Sequence, residues 1–258
     1  KGKAKRPSYI WVTEGSVEIR DASAFTGKDV FTVEDALKAE TDKKAEVAQI
    51  GPAGEKLSCM AAVMNDKYRA AGRSGTGAVM GSKNLRAIVC AGDKKPEAAD
   101  PAKFEAAWKK AREMIANHPV TKKGGLLNAL GTDGVTNIIN EAGVYPTKNW
   151  QFGTWDKAKN ISGEALKEKY LKRNTACMFC PIACGRWSEV DKGPYATVGE
   201  GPEYETVWAF GGACGNDDLA SIIRANYLCN MYGLDTISTG STIAFAMELY
   251  DRGIITDK

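Results

Sequence analysis

Two β-rich runs occupy residues 8 to 22, Ser8-Tyr-Ile-Trp-Val-Thr13 and Ser16-Val-Glu-Ile-Arg20, and the Glu14-Gly15 pair between them predicts a hairpin turn. Further strands are predicted at Val47–Ile50, Ser58–Met64 and Arg86–Ala91, with a short helix at Val33–Ala39 capped by Thr32. After Gly92 the pattern changes. Residues 93–100 form a charged linker containing Ala and Pro, and Asp100-Pro101 then supplies a cap and a first-turn proline for a helix. Phe104, Ala107, Trp108, Ala111 and Ile115 mark the apolar face of that helix. Later helices are predicted at Thr132–Ala142, Gly163–Lys172, Asp217–Tyr232 and Thr239–Arg252, several of them ending at a glycine (Gly143, Gly233, Gly253). No internal repeat or low-complexity tract interrupts the chain. The expectation is an α+β chain, with a β-rich N-terminal part over residues 1–95 followed by a mainly helical domain over residues 96–258.

Composition narrows the partners. With 43% apolar residues in 258, the chain can bury a real core. Its 35 basic and 32 acidic side chains are well mixed, so no basic stripe points to nucleic acid or to a membrane surface. No apolar run approaches the roughly 20 residues that cross a bilayer, and the basic start Lys1-Gly-Lys-Ala-Lys-Arg6 is followed by no signal-like segment. A cytoplasmic protein without a membrane partner is expected. The chain opens without Met on the approach to a strand and stops soon after a helix, so a fragment of a larger chain is also expected.

Seven cysteines, an odd number, argue for reduced thiols or metal ligation over a disulfide framework. Three of them cluster in Cys177-Met-Phe-Cys180-Pro-Ile-Ala-Cys184, where Pro181 and Gly185 shape a loop able to wrap a compact metal centre. Thiolates are soft ligands that suit iron–sulfur clusters or zinc, and both normally need a fourth ligand. Three structural thiols are the bland alternative. Cys214 or Cys229 could close a zinc site locally, whereas Cys59 and Cys90 read as core residues of strands.

The segment Arg69–Arg86 sets Gly72, Gly75, Gly77 and Gly81 among basic residues, a composition that lets backbone N–H groups approach an anion. It is not a P-loop, because Gly81-Ser82-Lys83 reverses the required order and Thr76 stands where the first glycine belongs. Nor does Gly72-Arg-Ser-Gly75-Thr-Gly77 fit the dinucleotide fingerprint. A solvated glycine turn is the alternative.

These segments, taken together with Ile50-Gly-Pro-Ala-Gly-Glu55, Met64-Asn-Asp66, Asn137–Glu141, Tyr145–Asn149, Gly201-Pro-Glu-Tyr-Glu205 and Gly233–Gly240, make the chain resemble the aldehyde:ferredoxin oxidoreductases throughout its length. The resemblance implies tungsten, or molybdenum, held by two pterin cofactors beside a 4Fe–4S cluster. Under it, Cys177, Cys180 and Cys184 match three of the four cluster ligands, the fourth lying outside this sequence. Arg69 and Ala70 match pterin-contacting positions, in a setting that suits the pterin phosphate or a phosphate-bound cation such as Mg²⁺. Asn230-Met-Tyr-Gly233-Leu234-Asp235 matches a DxxGLD pterin segment in which Asn230 replaces the first acid. Glu205 matches a carboxylate next to the metal, with proton handling as its task.

The resemblance places the family's catalytic His further downstream, outside this sequence, and the sole histidine, His118, reads as a helix-terminal residue. Arg224-Ala-Asn-Tyr227 stands where some members carry an E-x-x-H metal bridge between subunits, so a homo-oligomer would have to form by packing. The implied activity is oxidation of a small aldehyde, with electrons leaving to ferredoxin or another electron-transfer subunit. A benzoyl-coenzyme A reductase-type tungsten subunit and a non-catalytic iron–sulfur or zinc module are the competing readings.

Overall fold

A computed structural model describes residues 2–256, which form two compact units. One runs to Lys95 and adds the distant segment Leu228–Thr239. The other covers Pro96–Tyr227 and resumes at Gly240.

In the first unit, β1 (Ser8–Val12) and β2 (Val17–Asp21) form the predicted hairpin, with Thr13 N–H donating to Ser16 O at 3.0 Å across the turn. The chain continues through α1 (Val30–Glu40), β3 (Glu46–Ile50), α2 (Pro52–Glu55), β4 (Val63–Asn65), β5 (Arg69–Ala71), α3 (Thr76–Ser82) and β6 (Leu85–Cys90). One sheet in the order β2-β1-β6-β3-β4-β5 results, antiparallel except for the β1–β6 pair. Tyr9, Trp11, Val47, Ala87 and Val89 of the sheet bury against Val33 and Leu37 of α1, and removal of this apolar surface from water is what holds the helix to the sheet.

Helix α1 begins earlier than the sequence suggests. Its cap is Asp29, whose carboxylate accepts from Thr32 N–H at 2.9 Å and from Thr32 Oγ1 at 2.6 Å, so Thr32 is the capped residue and not the cap. The strand expected over Ser58–Met64 is confined to its last part. The preceding backbone groups are engaged elsewhere: Met60 O accepts from Asp235 N–H, Ala61 O from Gly77 N–H, and Ala62 N–H donates to Gly233 O at 2.8 Å. Cys59 and Cys90 are exposed rather than core residues, Cys59 in a turn and Cys90 at the end of β6.

The glycines around α3 have a packing explanation. A Cβ at Gly77 would lie 2.5 Å from Ala62 O, and one at Gly81 only 1.9 Å from Gly54 O. Gly75 has φ +67 and would meet Cys59 O at 2.8 Å. The segment is glycine-rich because α3 presses directly on neighbouring backbone, where no side chain fits.

The second unit starts with α4 (Pro101–Asn117), capped by Asp100 as expected, its carboxylate accepting from Lys103 N–H at 3.0 Å. The expected apolar face stays uncovered: Phe104 is 63% exposed, and no α4 residue is buried among the described residues. His118 ends this helix and its Nδ1 accepts from Val120 N–H at 3.2 Å. Then follow α5 (Leu126–Leu130), a 3₁₀ turn at Thr132–Val135 leading into α6 (Thr136–Glu141), and α7 (Gly163–Lys169).

A three-stranded antiparallel sheet, β7 (Leu171–Thr175), β8 (Gly185–Val190) and β9 (Thr197–Glu200), was not foreseen in this mainly helical part. Its first strand reads Leu-Lys-Arg-Asn-Thr and is mostly exposed, so it carries no apolar signal. The unit continues with α8 (Tyr204–Phe210), and α9 (Leu219–Tyr232) and α10 (Thr236–Asp251) follow. No described helix is long and apolar enough to cross a membrane.

The close approach of α3 to α2 yields a stability prediction. Gly81→Ala forces a Cβ into the Gly54 carbonyl, and overpacking of this kind costs about 1–3 kcal/mol. Denaturant titration of the full-length protein should show the midpoint falling accordingly; an unchanged midpoint would mean that the α2–α3 contact relaxes freely.

Candidate functional site

The cysteine triplet lies on the connection between β7 and β8, whose ladder pairs Thr175 with Gly185 at the loop's base. Cys180 N–H donates to Cys177 O at 3.0 Å, and Phe179 and Ala183 adopt left-handed φ values of 59 and 54. Non-glycine residues pay a steric cost there, which the surrounding contacts must offset. Cys177 is exposed, while Cys180 and Cys184 are half-buried. Burial raises the Cys184 thiol above its ordinary range, and the nearby Glu203 charge adds to the effect. Among the described residues no three His, Cys, Asp or Glu side chains converge in the geometry of a metal site, so the three thiols share one loop without being gathered on one point. As a donor set, three soft thiols on one loop suit an iron–sulfur cluster.

What holds the loop is a residue outside the expected site. Arg186 on β8 is 1% exposed, and its guanidinium donates to Cys184 O at 3.0 Å and to Ala183 O at 3.1 Å on the loop. The same group donates to Leu127 O, Asn128 O and Ala129 O at 3.2, 2.9 and 3.3 Å. Those are carbonyls at the C-terminal end of α5, where a cation is favoured. Gly131 has φ +74, and a Cβ there would crowd Arg186 Nε and Cys184 O at 3.1 Å. The Asn128 amide adds a second tie, donating from Nδ2 to Ile182 O at 2.9 Å.

Next to this clamp lies a buried carboxyl, with Glu203 half-buried and Glu164 exposed nearby. Asp133 is 1% exposed; Thr136 Oγ1 donates to its Oδ1 at 2.6 Å, while its Oδ2 has no hydrogen-bond partner among the described residues. Burial pushes the Asp133 carboxyl up to about 7 against the Thr136 hydrogen bond, and the charges of Glu164 and Glu203 reinforce the rise. Glu203 itself accepts from Thr132 Oγ1, whose oxygen in turn accepts from Tyr204 N–H at 3.0 Å.

Glu205 sits in the first turn of α8, exposed, with its carboxylate accepting from Trp208 Nε1–H at 2.7 Å. The Trp208 ring meets Trp150 edge-on at 5.4 Å. Trp150 ends a run of three left-handed residues, Lys148, Asn149 and Trp150, at φ 46, 50 and 67. The run is held because Lys148 N–H and Asn149 N–H donate to Gly212 O and Ala213 O at 2.9 and 2.8 Å. Neither tryptophan figured among the expected site residues, although Tyr145–Asn149 did carry part of the resemblance.

The residues expected to contact pterin all lie in the first unit. Arg69 is half-buried and Ala70 exposed on β5, paired with Asn65 and Met64 of β4. Gly233, Leu234 and Asp235 dock on residues 60–62 by the backbone bonds already described, and Leu234 bridges Ala61. Gly233 needs its φ of +72, because a Cβ would lie 2.7 Å from Gly51 N. The buried Asp235 carboxylate accepts from Ser238 N–H at 3.0 Å and pairs with Arg73 at 3.4 Å. Asn230 is buried and its carbonyl accepts from Gly233 N–H. Arg73 in the glycine-rich segment and Asp235 in the GLD segment are thereby brought together. The two segments thus form one packed cradle, in which the glycines are taken up by backbone contacts and Arg73 is paired with Asp235.

Cys214 and Cys229 take no part in the thiol loop. Burial raises them to about 11 and about 12, which keeps both as neutral thiols near pH 7.

Fold and residues together define an α+β chain with a thiol-bearing hairpin loop in one unit and a glycine-packed cradle in the other. Sequence models of the aldehyde ferredoxin oxidoreductase family match residues 1–92 (N-terminal domain) and 106–258 (domains 2 and 3), and the chain belongs to that family. It is 51% identical over its whole length to the tungsten-containing aldehyde ferredoxin oxidoreductases of Thermococcus kodakarensis and Pyrococcus furiosus, and it spans 42% of the length of each. An aliphatic sulfonate oxidoreductase, WOR-like subunit, of Pyrococcus furiosus is 30% identical over 99% of the chain and 43% of its own length. Among solved structures, the active-site complex BamBC of benzoyl coenzyme A reductase, with 1,5-dienoyl-CoA, superposes with a TM-score of 0.80 at 28% identity, over 100% of this chain and 40% of that one.

The buried carboxyl gives a pH prediction. A carboxyl whose folded-state pKa lies above its unfolded value near 3.8 stabilises the fold fully at low pH and loses that contribution as pH rises to about 7. The denaturation midpoint of the full-length protein should therefore fall relative to that of Asp133→Asn between about pH 4 and pH 7. Parallel midpoints across that window would show that Asp133 is not displaced.

Proposed function

We propose that the full-length protein oxidises small aldehydes to carboxylic acids at a tungsten bis-pterin centre and passes the electrons through a 4Fe–4S cluster to ferredoxin or another redox subunit. The observation that carries this reading is the 51% identity, along the entire chain, to relatives named as tungsten-containing aldehyde ferredoxin oxidoreductases. Conversion of an aldehyde and water to an acid releases two protons and two electrons. When bound, the metal–pterin group supplies the two-electron acceptor and the cluster a one-electron relay.

The protein's own residues bind, orient and handle protons. Cys177, Cys180 and Cys184 hold the cluster as thiolates, with the fourth ligand supplied from outside residues 1–258. Arg69, Ala70 and the segment from Asn230 through Gly233 and Leu234 to Asp235 hold a pterin, Arg69 favouring its phosphate or a phosphate-bound Mg²⁺. Asn230 offers that ligand a neutral amide in place of a carboxylate. Glu205, fixed by the Trp208 indole, takes a proton from the reacting centre. Molybdenum in place of tungsten would leave each of these roles unchanged.

A second reading, reduction of an aromatic acyl-CoA ring, is favoured by the likeness to the benzoyl coenzyme A reductase complex at a TM-score of 0.80. Turnover of the purified protein with aldehydes and with an aromatic acyl-CoA, each with a viologen dye as electron partner, separates the two.

Metal and cofactor analysis of the native full-length protein should find iron, sulfide, pterin and tungsten or molybdenum; zinc alone would overturn the reading. Cys180→Ser should remove the broad visible absorption of the cluster along with iron and sulfide. Full retention of both would exclude Cys180 as a ligand.

Glu205→Gln keeps an acceptor for the Trp208 N–H and removes the titrating group. Turnover should fall by about a hundred- to ten-thousand-fold with metal, pterin and cluster intact. A rate within a few-fold of the parent's would reduce Glu205 to a structural residue.

A further inference from the structure

Buried arginines usually pair with carboxylates, but the Arg186 guanidinium spends its donors on backbone. Five carbonyls receive it, two on the thiol loop and three at the end of α5. A guanidinium stays protonated at any pH at which the protein is folded, so this is a fixed positive charge in a poorly solvated place. Its strongest neighbour on the loop is Cys184 O at 3.0 Å, within the very residue expected to ligate the cluster. Burial lowers the pKa of this guanidinium, and Glu203 opposes that most, followed by Cys184. Glu203 also faces Cys184 and Asp133, so one carboxylate and one guanidinium flank this end of the loop.

We infer that Arg186 is a positioning residue for the iron–sulfur cluster: it fixes the backbone at Ala183 and Cys184 against α5 and places a permanent buried cation beside the cluster, which raises the cluster's reduction potential. The inference rests on the cluster reading proposed above. Its electrostatic half follows from charge balance. On reduction the cluster gains one electron and no atom, so its net charge becomes more negative by one, and a nearby fixed cation stabilises that state over the oxidised one. The positioning half follows from the geometry. The loop contains two left-handed non-glycine residues, and the carbonyl of one of them, Ala183, is held by Arg186. Without the clamp, that conformation loses one of the contacts that offset its steric cost.

Three variants of the full-length holoprotein separate the two contributions. Arg186→Gln removes the charge and most of the bonds, Arg186→Lys keeps the charge but cannot reach five carbonyls, and Asn128→Ala cuts the neutral tie to Ile182 O without touching the charge. The readouts are the midpoint potential of the cluster, from a redox titration followed by electron paramagnetic resonance, and the rate of iron loss to a chelator.

The expected result is a midpoint shifted to more negative potential in Arg186→Gln only, with faster iron loss in all three variants. A parent-like midpoint in Arg186→Gln overturns the inference. If Arg186→Gln yields no cluster-loaded protein, Arg186→Lys decides: iron loss no faster than in the parent overturns the inference, and faster loss with a parent-like midpoint supports it. A parent protein free of iron and sulfide would sink the cluster reading itself, an outcome distinct from either of these.

Discussion

The first unit depends on how the backbone of Met60–Ala62 meets its hydrogen-bonding needs. This short stretch sits where a strand would be expected, yet its polar groups are engaged from two directions, by the first turn of α3 and by residues 233–235. Buried backbone groups must be paired, and here the pairing recruits a segment far away in sequence. Close approach of backbone to backbone then excludes a Cβ at Gly51, Gly77 and Gly233, where one would lie 2.2, 2.5 and 2.7 Å from its nearest neighbour. One accounting requirement thus explains three glycines, the truncation of a strand and the meeting of Arg73 with Asp235.

The second unit meets a comparable requirement by different means. Helix α5 is a single turn and a half, and Arg186 reaches across from β8 to three carbonyls at its C-terminal end. Because the same guanidinium also grips the loop, helix end and thiol loop are ordered together. Asp133 lies immediately beyond Gly131, so a buried carboxyl near its titration point and a buried cation occupy one neighbourhood.

Much of this was legible in the sequence, and the failures have physical reasons. The hairpin at Glu14-Gly15, the strands at Val47 and Arg86 and the cap at Asp100 declared themselves because local chemistry decides them. Strands β7 to β9 did not, since Lys172, Arg173 and Asn174 carry no apolar face and pairing alone makes them a sheet. The glycine-rich segment was visible, but the backbone packing that requires Gly77 and Gly81 was not, because a glycine needed for packing and one needed for an anion look alike in a sequence. The cysteine triplet stood out by spacing, whereas Arg186 gave no sign: only the ladder that pairs it with Asn174 reveals that it turns inward. The pairing of Glu205 with Trp208 could have been suspected from their three-residue separation at the start of a helix.

The hairpin setting of the thiol loop determines where this region tolerates change. Along β8 the side chains alternate between faces, so one residue inserted between Cys184 and Arg186 would turn the guanidinium outward and expel it from α5. At the loop's tip, where Met178 and Phe179 project into solvent, no such parity applies. The short span from the loop's last cysteine into the sheet therefore behaves as a fixed ruler.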